Sequence, residues 1–530
     1  DIAATVGWTG RYENMNNIRV STNGGLVTEN WFDLNASRYT PSSTLQRMEL
    51  LKTGYMGTLS LGWDNYLFLE LTGRQERSST LKDQSFFYPS ANLSFLFTQA
   101  FHMPSWWNYG KLRLSYGIVG NAPETYTANI VYEQGSDNGF TWNTIPSSWG
   151  NADIHPEKKY EYEIGLESKF LNNRLGIDIS YYNNRVKDQI LSTPQPSTSG
   201  VKNVLMNVGE VANRGWDISI SATPILTRDF RWDLTANYGV YKNKVVKLAD
   251  GVPYLEILNS GGSGIKIQAV EGQPMGDIYA QVPQVNENGE YLVSDKGLYL
   301  NQTELQKVGN INPAGVGGLF NSFSYKNVFL DFSIDFRIGG DVINEMNQYA
   351  TAVGLTPESL KYRDTEHGGL SYYYPGDNNS SGIPVQVDPS TGAGPNGEII
   401  YHDGIILPGV VASTGERNTR IIPAGYYYNT TYNWGTEAEQ LTYRHSVFDN
   451  SYVKLRELTI GYQFPEKMIS KLGLGRLSVS VFGRNLFYFY KALKNYDAES
   501  SVGTSWANQA TVGSSTTATR SFGVSLRASF

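Results

Sequence analysis

The sequence predicts an all-β fold, a transmembrane antiparallel β-barrel with long extracellular loops, and three observations predict it. The first is strict alternation. In SFGVSLRASF (Ser521–Phe530), Phe522, Val524, Leu526, Ala528 and Phe530 share one face, and Ser521, Gly523, Ser525, Arg527 and Ser529 share the other. A period of two with one apolar and one polar side is a strand. Where lipid covers the apolar side, the polar side lines a lumen and the terminal aromatic sits in the interfacial girdle. The second is composition: 54 Gly, 36 Tyr and 11 Trp beside only 18% charged residues favour turns and interfacial aromatics over helices. The third is where the charges fall. Val328, Leu330, Phe332, Ile334, Phe336 and Ile338 alternate with a set that includes Asp331, Ser333, Asp335 and Arg337. Charges at alternate positions of a long strand suit a water-filled lumen better than a dry sandwich core.

The other classes recede for stated reasons. No apolar run approaches the ~18 residues of a membrane helix. The mean hydropathy of −0.36 is what a barrel gives when lumen residues and polar loops dilute its lipid face. A net charge of −7 argues against a nucleic-acid partner. The absence of cysteine excludes a disulfide framework and thiolate metal sites. The chain opens directly on DIAATVGWTGRYE, already strand-like, with no signal peptide in view.

Taken in order, the first strand is expected near Ile2–Glu13. Alternation then recurs at Leu112–Ile118, Tyr162–Leu166, Leu175–Tyr181, Trp216–Ile220, Trp232–Ala236 and Val328–Ile338. About fifteen strands match a period of two. Their joins alternate in length. Short ones lie at Trp63–Asn65, Leu171–Asn173, Pro224–Asp229 and Tyr325–Asn327. Long ones lie at Gly120–Lys159, Arg185–Arg214, Lys242–Gly315, Gly339–Asn450 and Lys491–Arg520. Short turns on one rim and long loops on the other match bacterial outer-membrane barrels, with the short turns periplasmic. Gly339–Asn450 and Lys242–Gly315 are therefore expected on the same rim. One segment breaks phase: Val453 and Leu455 are apolar at odd positions, but Leu458, Ile460, Tyr462 and Phe464 at even ones. A bulge near Arg456–Glu457 would absorb the shift, and a loop-embedded start of the strand would account for it equally well. Pro465 then stops the strand, and Glu466–Leu472 form a helical turn before Gly473. On the last two strands Phe522, Val524, Leu526, Leu477, Val479 and Val481 should face lipid, with Ser525, Arg527, Ser478 and Ser480 inward. Trp232 and Tyr488 are expected as lipid-interface anchors.

Several of these strings resemble those of SusC/RagA-family TonB-dependent outer-membrane transporters. They include RLSVSVFGRNLFYF (Arg476–Phe489) with Asn495, Asp497 and Glu499 beyond it, SYVKLRELTIGYQFP (Ser451–Pro465) and NVGEVANRGWDISI (Asn207–Ile220). LNNRLGIDISYYNNRVKDQIL (Leu171–Leu191), VEGQPMGDIYA (Val270–Ala280) and KLRLSYGIVGNAP (Lys111–Pro123) are similar too, and the matches fall in family order. The resemblance implies a barrel of about 22 strands, of which residues 1–530 supply the carboxyl-terminal part, without the plug domain and first barrel strands. It implies energised import of a bulky nutrient, a glycan or a peptide, across the bacterial outer membrane. A SusD-like surface lipoprotein would serve as lid, TonB would act through the N-terminal part, and transporter–lipoprotein pairs could dimerise. The competing reading is an adhesin or assembly barrel with no transport cycle.

No catalytic constellation stands out, so an enzyme is not expected. The five histidines (His102, His155, His367, His402 and His445) show no metal-ligand spacing. VNENGEYLVSDKG (Val285–Gly297) lacks a first carboxylate and reads as a turn rather than a calcium loop, and GGSGIK (Gly261–Lys266) lacks phosphate-loop spacing. Neither a metal nor a cofactor is expected. The candidate contacts to ligand or lid are aromatic: Tyr372, Tyr373, Tyr374, Tyr426, Tyr427, Tyr428, Tyr432 and Trp434, all in Gly339–Asn450. Aromatic faces beside polar groups suit sugar rings and peptide side chains, with loop packing as the more ordinary role. Asp364, Glu366, Asp377 and Asp388 are the candidate hydrogen-bonding carboxylates.

Overall fold

The computed structural model describes residues 1–82, 85–137, 140–260, 264–376, 382–433, 442–500, 505–512 and 518–529. Phe530, Trp434 and Asp377 lie outside them. The alternating segments form fourteen long strands, one fewer than the approximate count from the sequence. They are β1 (Ile2–Leu26), β2 (Ser37–Trp63), β3 (Leu67–Ser78), β4 (Ser85–Phe95), β5 (Trp107–Asn121), β6 (Glu157–Phe170) and β7 (Leu175–Lys187). There follow β8 (Glu210–Leu226), β9 (Phe230–Lys247), β10 (Gly315–Tyr325), β11 (Val328–Ile338), β12 (Tyr452–Gln463), β13 (Arg476–Lys491) and β14 (Ser521–Ser529). Each pairs with the next in one sheet, in chain order. The chain divides into two compact units, Asp1–Trp216 with Lys242–Pro253, and Asp217–Tyr241 with Tyr254–Phe530.

In the first unit, β1 runs far past the expected Glu13. Its register with β2 is continuous from Ile2↔Leu61 to Ser21↔Ser42. Between Glu13 and Asn23 both faces are mostly polar, so period two leaves no trace in the sequence although backbone pairing continues. At about 3.3 Å per residue, 25 residues reach well beyond the ~30 Å hydrocarbon layer. The wall itself is two-faced. Tyr116, Ile164 and Leu166 are exposed on the outer side. On the opposite side Arg113 donates to the Asp178 carboxylate through Nη1 and Nη2, at 3.1 and 2.6 Å. Tight turns at Asp64–Asn65 and Leu171–Asn173 adopt positive φ, a conformation Asn and Asp tolerate best. The long connections share a small core of Leu81, Phe86 and Ile154, packed by Tyr88, Ile190 and Leu205.

In the second unit the faces fall as expected. Phe522, Val524, Leu526 and Val481 are exposed, Leu477 and Val479 are half-buried, and none of the six belongs to a core cluster among the described residues. The phase break sits at Arg456: Ser333 pairs with Glu457 and Ile334 with Leu455, leaving Arg456 as the extra residue. A helical turn at Glu466–Ile469 follows Pro465, and Gly473 ends the segment with φ +70°. Trp232 stacks on Phe323 at 5.4 Å and donates Nε1–H to Asn321. Tyr488 corrects an expectation. Its hydroxyl donates to Asp497 Oδ1 at 2.9 Å, and the ammonium groups of Lys454 and Lys491 lie 4.8 and 5.2 Å from its ring. An even position places it with Ser478 and Ser480, on the polar face, so it is no lipid anchor.

Candidate ligand vestibule

In the second unit, parts of three long connections fold together around one core. In Ile265–Val270 the alternation IKIQAV turns Ile265 and Ile267 inward, and Ile278 and Ala280 come from the neighbouring strand Asp277–Ala280. Ile343, Tyr443 and Val447 of the connection between β11 and β12 join them, with Ala507 and Ala510 from the one between β13 and β14. Within the second unit, the part of Lys242–Gly315 from Ile265 onward and Gly339–Asn450 therefore lie together, as expected of loops that share a rim. Ion pairs tie this assembly to the wall: Lys454, wholly buried, and Arg456 both bind Glu499, and Arg456 also binds Asp335.

The tyrosines of Gly339–Asn450 separate by burial. Tyr372 stacks on Tyr401 at 5.5 Å, meets Tyr374 edge-on and donates its hydroxyl to Asp403 at 3.1 Å. Both Tyr372 and Tyr374 are buried in a cluster with Ile421, and Tyr373 is half-buried. The helix Ala424–Tyr432 buries Tyr428, whose hydroxyl donates to the Glu358 carbonyl at 2.7 Å. Tyr427 packs against Leu298, Ile405, Leu407 and Ile422. Tyr432 stacks on His445 at 4.5 Å. Burial, and to a lesser degree neighbouring tyrosines, pushes the Tyr427 hydroxyl well above its ordinary range. Burial first, then Arg444, pulls the His445 imidazole down to about 4. Of the eight, Tyr426 is the most exposed among the described residues, at 41%.

Tyr426 and Tyr374 line a cavity of about 310 Å³ together with Lys296, Arg420, Ile421 and Pro384. The turn after Tyr374 is fixed by Glu398, whose buried carboxylate accepts from the Gly376 and Asn396 N–H groups at 3.2 and 2.8 Å. Those bonds, the one from Asn396 foremost, hold Glu398 down at about 2. Two of the candidate carboxylates serve local turns: Asp364 accepts from His367 Nδ1 at 2.7 Å, and Asp388 accepts from the Ser390 N–H. Asn286 of the calcium-like string accepts from the Asn288 and Glu290 N–H groups, which makes it a turn. Among the described residues no group of three or more His, Cys, Asp and Glu could hold a metal ion. Sequence reading missed Arg420, which stands in no motif, and Lys296, which stands in the calcium-like string but was given no role there; the two line one cavity only through the fold.

Residues 3–284 match the family model described as TonB dependent receptor-like, beta-barrel. The chain belongs to that family. It is accordingly an outer-membrane receptor barrel that crosses with strands; no helix among the described residues is long and apolar enough to do so. It is 24% identical over 494 residues to TonB-dependent receptor P3 of Formosa agariphila, covering 85% of this chain and 42% of that one. It is 30% identical over 247 residues to TonB-dependent receptor SusC of Bacteroides thetaiotaomicron, covering 43% and 24%. The chain thus spans less than half the length of these curated relatives. Among solved structures the RagAB peptide transporter superposes with a TM-score of 0.67 at 18% identity, over 94% of this chain and 51% of that one. That likeness shows the fold.

Proposed function

We propose that this receptor barrel takes part in TonB-dependent import of a bulky nutrient, a glycan or a peptide, and that its long connections form the binding vestibule. The observation that supports this best is a cavity walled by Tyr374 and Tyr426 and lined from two of these connections, bordered by the buried clusters that hold Ile421 and Ile422. Loops this long are uncommon unless functional, and concave sites with aromatic walls and a few polar groups are where small ligands bind. A SusD-like surface lipoprotein would cover the vestibule, TonB would energise transport through the complete protein, and pairs of transporter and lipoprotein could dimerise. The relative named SusC and the solved RagAB peptide transporter support an import role.

Residues 1–530 would make the carboxyl-terminal barrel part of that longer transporter. Deleting Ser371–Ser381 would remove Tyr372 and Tyr374 from their core, so a point change gives the cleaner test. Tyr426→Ala should lower ligand binding or lid affinity about fivefold or more, with assembly in the outer membrane unchanged. Uptake of the nutrient in intact cells should stop when the proton gradient is collapsed. Uptake that persists without the gradient, or that never depended on this gene, would overturn the import reading in favour of an adhesin or assembly barrel.

A further inference from the structure

The cavity beside Tyr374 and Tyr426 has a charge character that the import reading leaves unused. Its aliphatic floor comes from Ile421, Ile422 and Pro384, and two cationic side chains, Arg420 and Lys296, line it. Arg420 is half-buried. Its stem lies over Gly297: a Cβ built at that glycine would stand 3.5 Å from Arg420 Cγ and Cδ. Its backbone N–H donates to Asn418 Oδ1 at 3.0 Å. Among the described residues the guanidinium itself has no hydrogen-bond or ion-pair partner. Among the described residues, Asp403 accepts from the Tyr372 hydroxyl at 3.1 Å and Asp295 from the Ser413 hydroxyl at 2.6 Å. A partly desolvated guanidinium offers a planar fork of donors that matches a carboxylate in two-point geometry. Tyrosine walls and an apolar floor accept the body of a compact residue beside it.

We propose that this cavity is a subsite for a carboxylate-bearing residue of the ligand, held by Arg420 and flanked by Tyr374 and Tyr426. The proposal rests on the reading of the long connections as a ligand vestibule. A uronic acid in a glycan and an acidic side chain in a peptide both supply this chemistry.

The test uses the complete transporter purified in detergent and two matched pairs of probes. One pair is a trigalacturonate and its methyl ester. The other is an end-blocked tripeptide Ala-Glu-Ala and its Ala-Gln-Ala counterpart. In at least one pair the acid should bind tenfold or more tighter than the neutral form, and the pair showing this identifies the source. Arg420→Met keeps the packed stem and removes the charge; it should bring that ratio close to one, with the loss falling chiefly on the acid. Equal affinity within both pairs, the absence of binding included, overturns the proposal, as does an undiminished ratio in Arg420→Met. Gradient-driven uptake with no acid preference would remove the subsite and leave import standing. An acid preference without any energised uptake would remove import and leave the subsite standing.

Discussion

At the scale of single residues, His445 gives a pH test. Stacked on Tyr432 and desolvated, it stays neutral in the fold down to about pH 4, against 6.5 for a free imidazole. Above pH 6.5 folded and unfolded chains bind the same proton count at this residue, and its contribution is fully present. As pH falls toward 4 the unfolded chain takes up the proton first, so stability is lost across that window. The loss reaches up to about 3 kcal/mol, less where water still touches the ring. Hydrogen exchange of residues 424–432 should therefore quicken between pH 6.5 and 4.5, and His445→Gln should flatten that dependence. A wild-type rate with only the ordinary pH slope of exchange would mean that the ring titrates freely.

At the scale of elements, the wall was legible and the loop assembly was not, for one physical reason. A wall residue meets either lipid or water, so its environment is written in the parity of its own position; Phe522, Val524 and Leu526 could be read that way, and even the bulge at Arg456 announced itself as a phase break. Reading by parity also had a cost when ignored, as with Tyr488, assigned to the interface by its ring type although its even number put it inward. The polar half of β1 was invisible because two wet faces carry no alternation. In the loop assembly, Ile267, Ile343 and Ala510 become neighbours only after three connections have met, and no local pattern records that. Composition showed that tyrosines were abundant there, but not that Tyr372 would be buried and Tyr426 left open. The shared core predicts joint unfolding. Ile267→Ala should cost about 2–5 kcal/mol locally and raise exchange together at residues 265–280, 341–343 and 507–512. Protection of Val328–Ile338 should hold, and its equal loss would show that wall and loop assembly are one cooperative unit.

At the scale of the whole molecule, the exposed apolar residues of the wall need a solvent other than water. Ile460, Val481, Val524 and Leu526 stand exposed on adjoining strands of the second unit, with Ile460 paired to Val481, Val481 to Val524, and Val479 to Leu526. Such a contiguous patch on a monomer marks a surface that something covers, and membership of a receptor-barrel family makes lipid the cover. The cost of a charge on that face depends on depth: an arginine at the bilayer midplane costs roughly 2–4 kcal/mol and near the interface about 0–1. Val524→Arg, near the middle of β14, should therefore destabilise the protein folded into vesicles by several times more than Ala528→Arg close to its end. Ser525→Arg, whose side chain faces the opposite way, should cost little at the same depth. Measured by urea titration in vesicles, equal costs at residues 524 and 525 would show that the two faces of the last strand meet the same medium, and the lipid assignment of this face would fail.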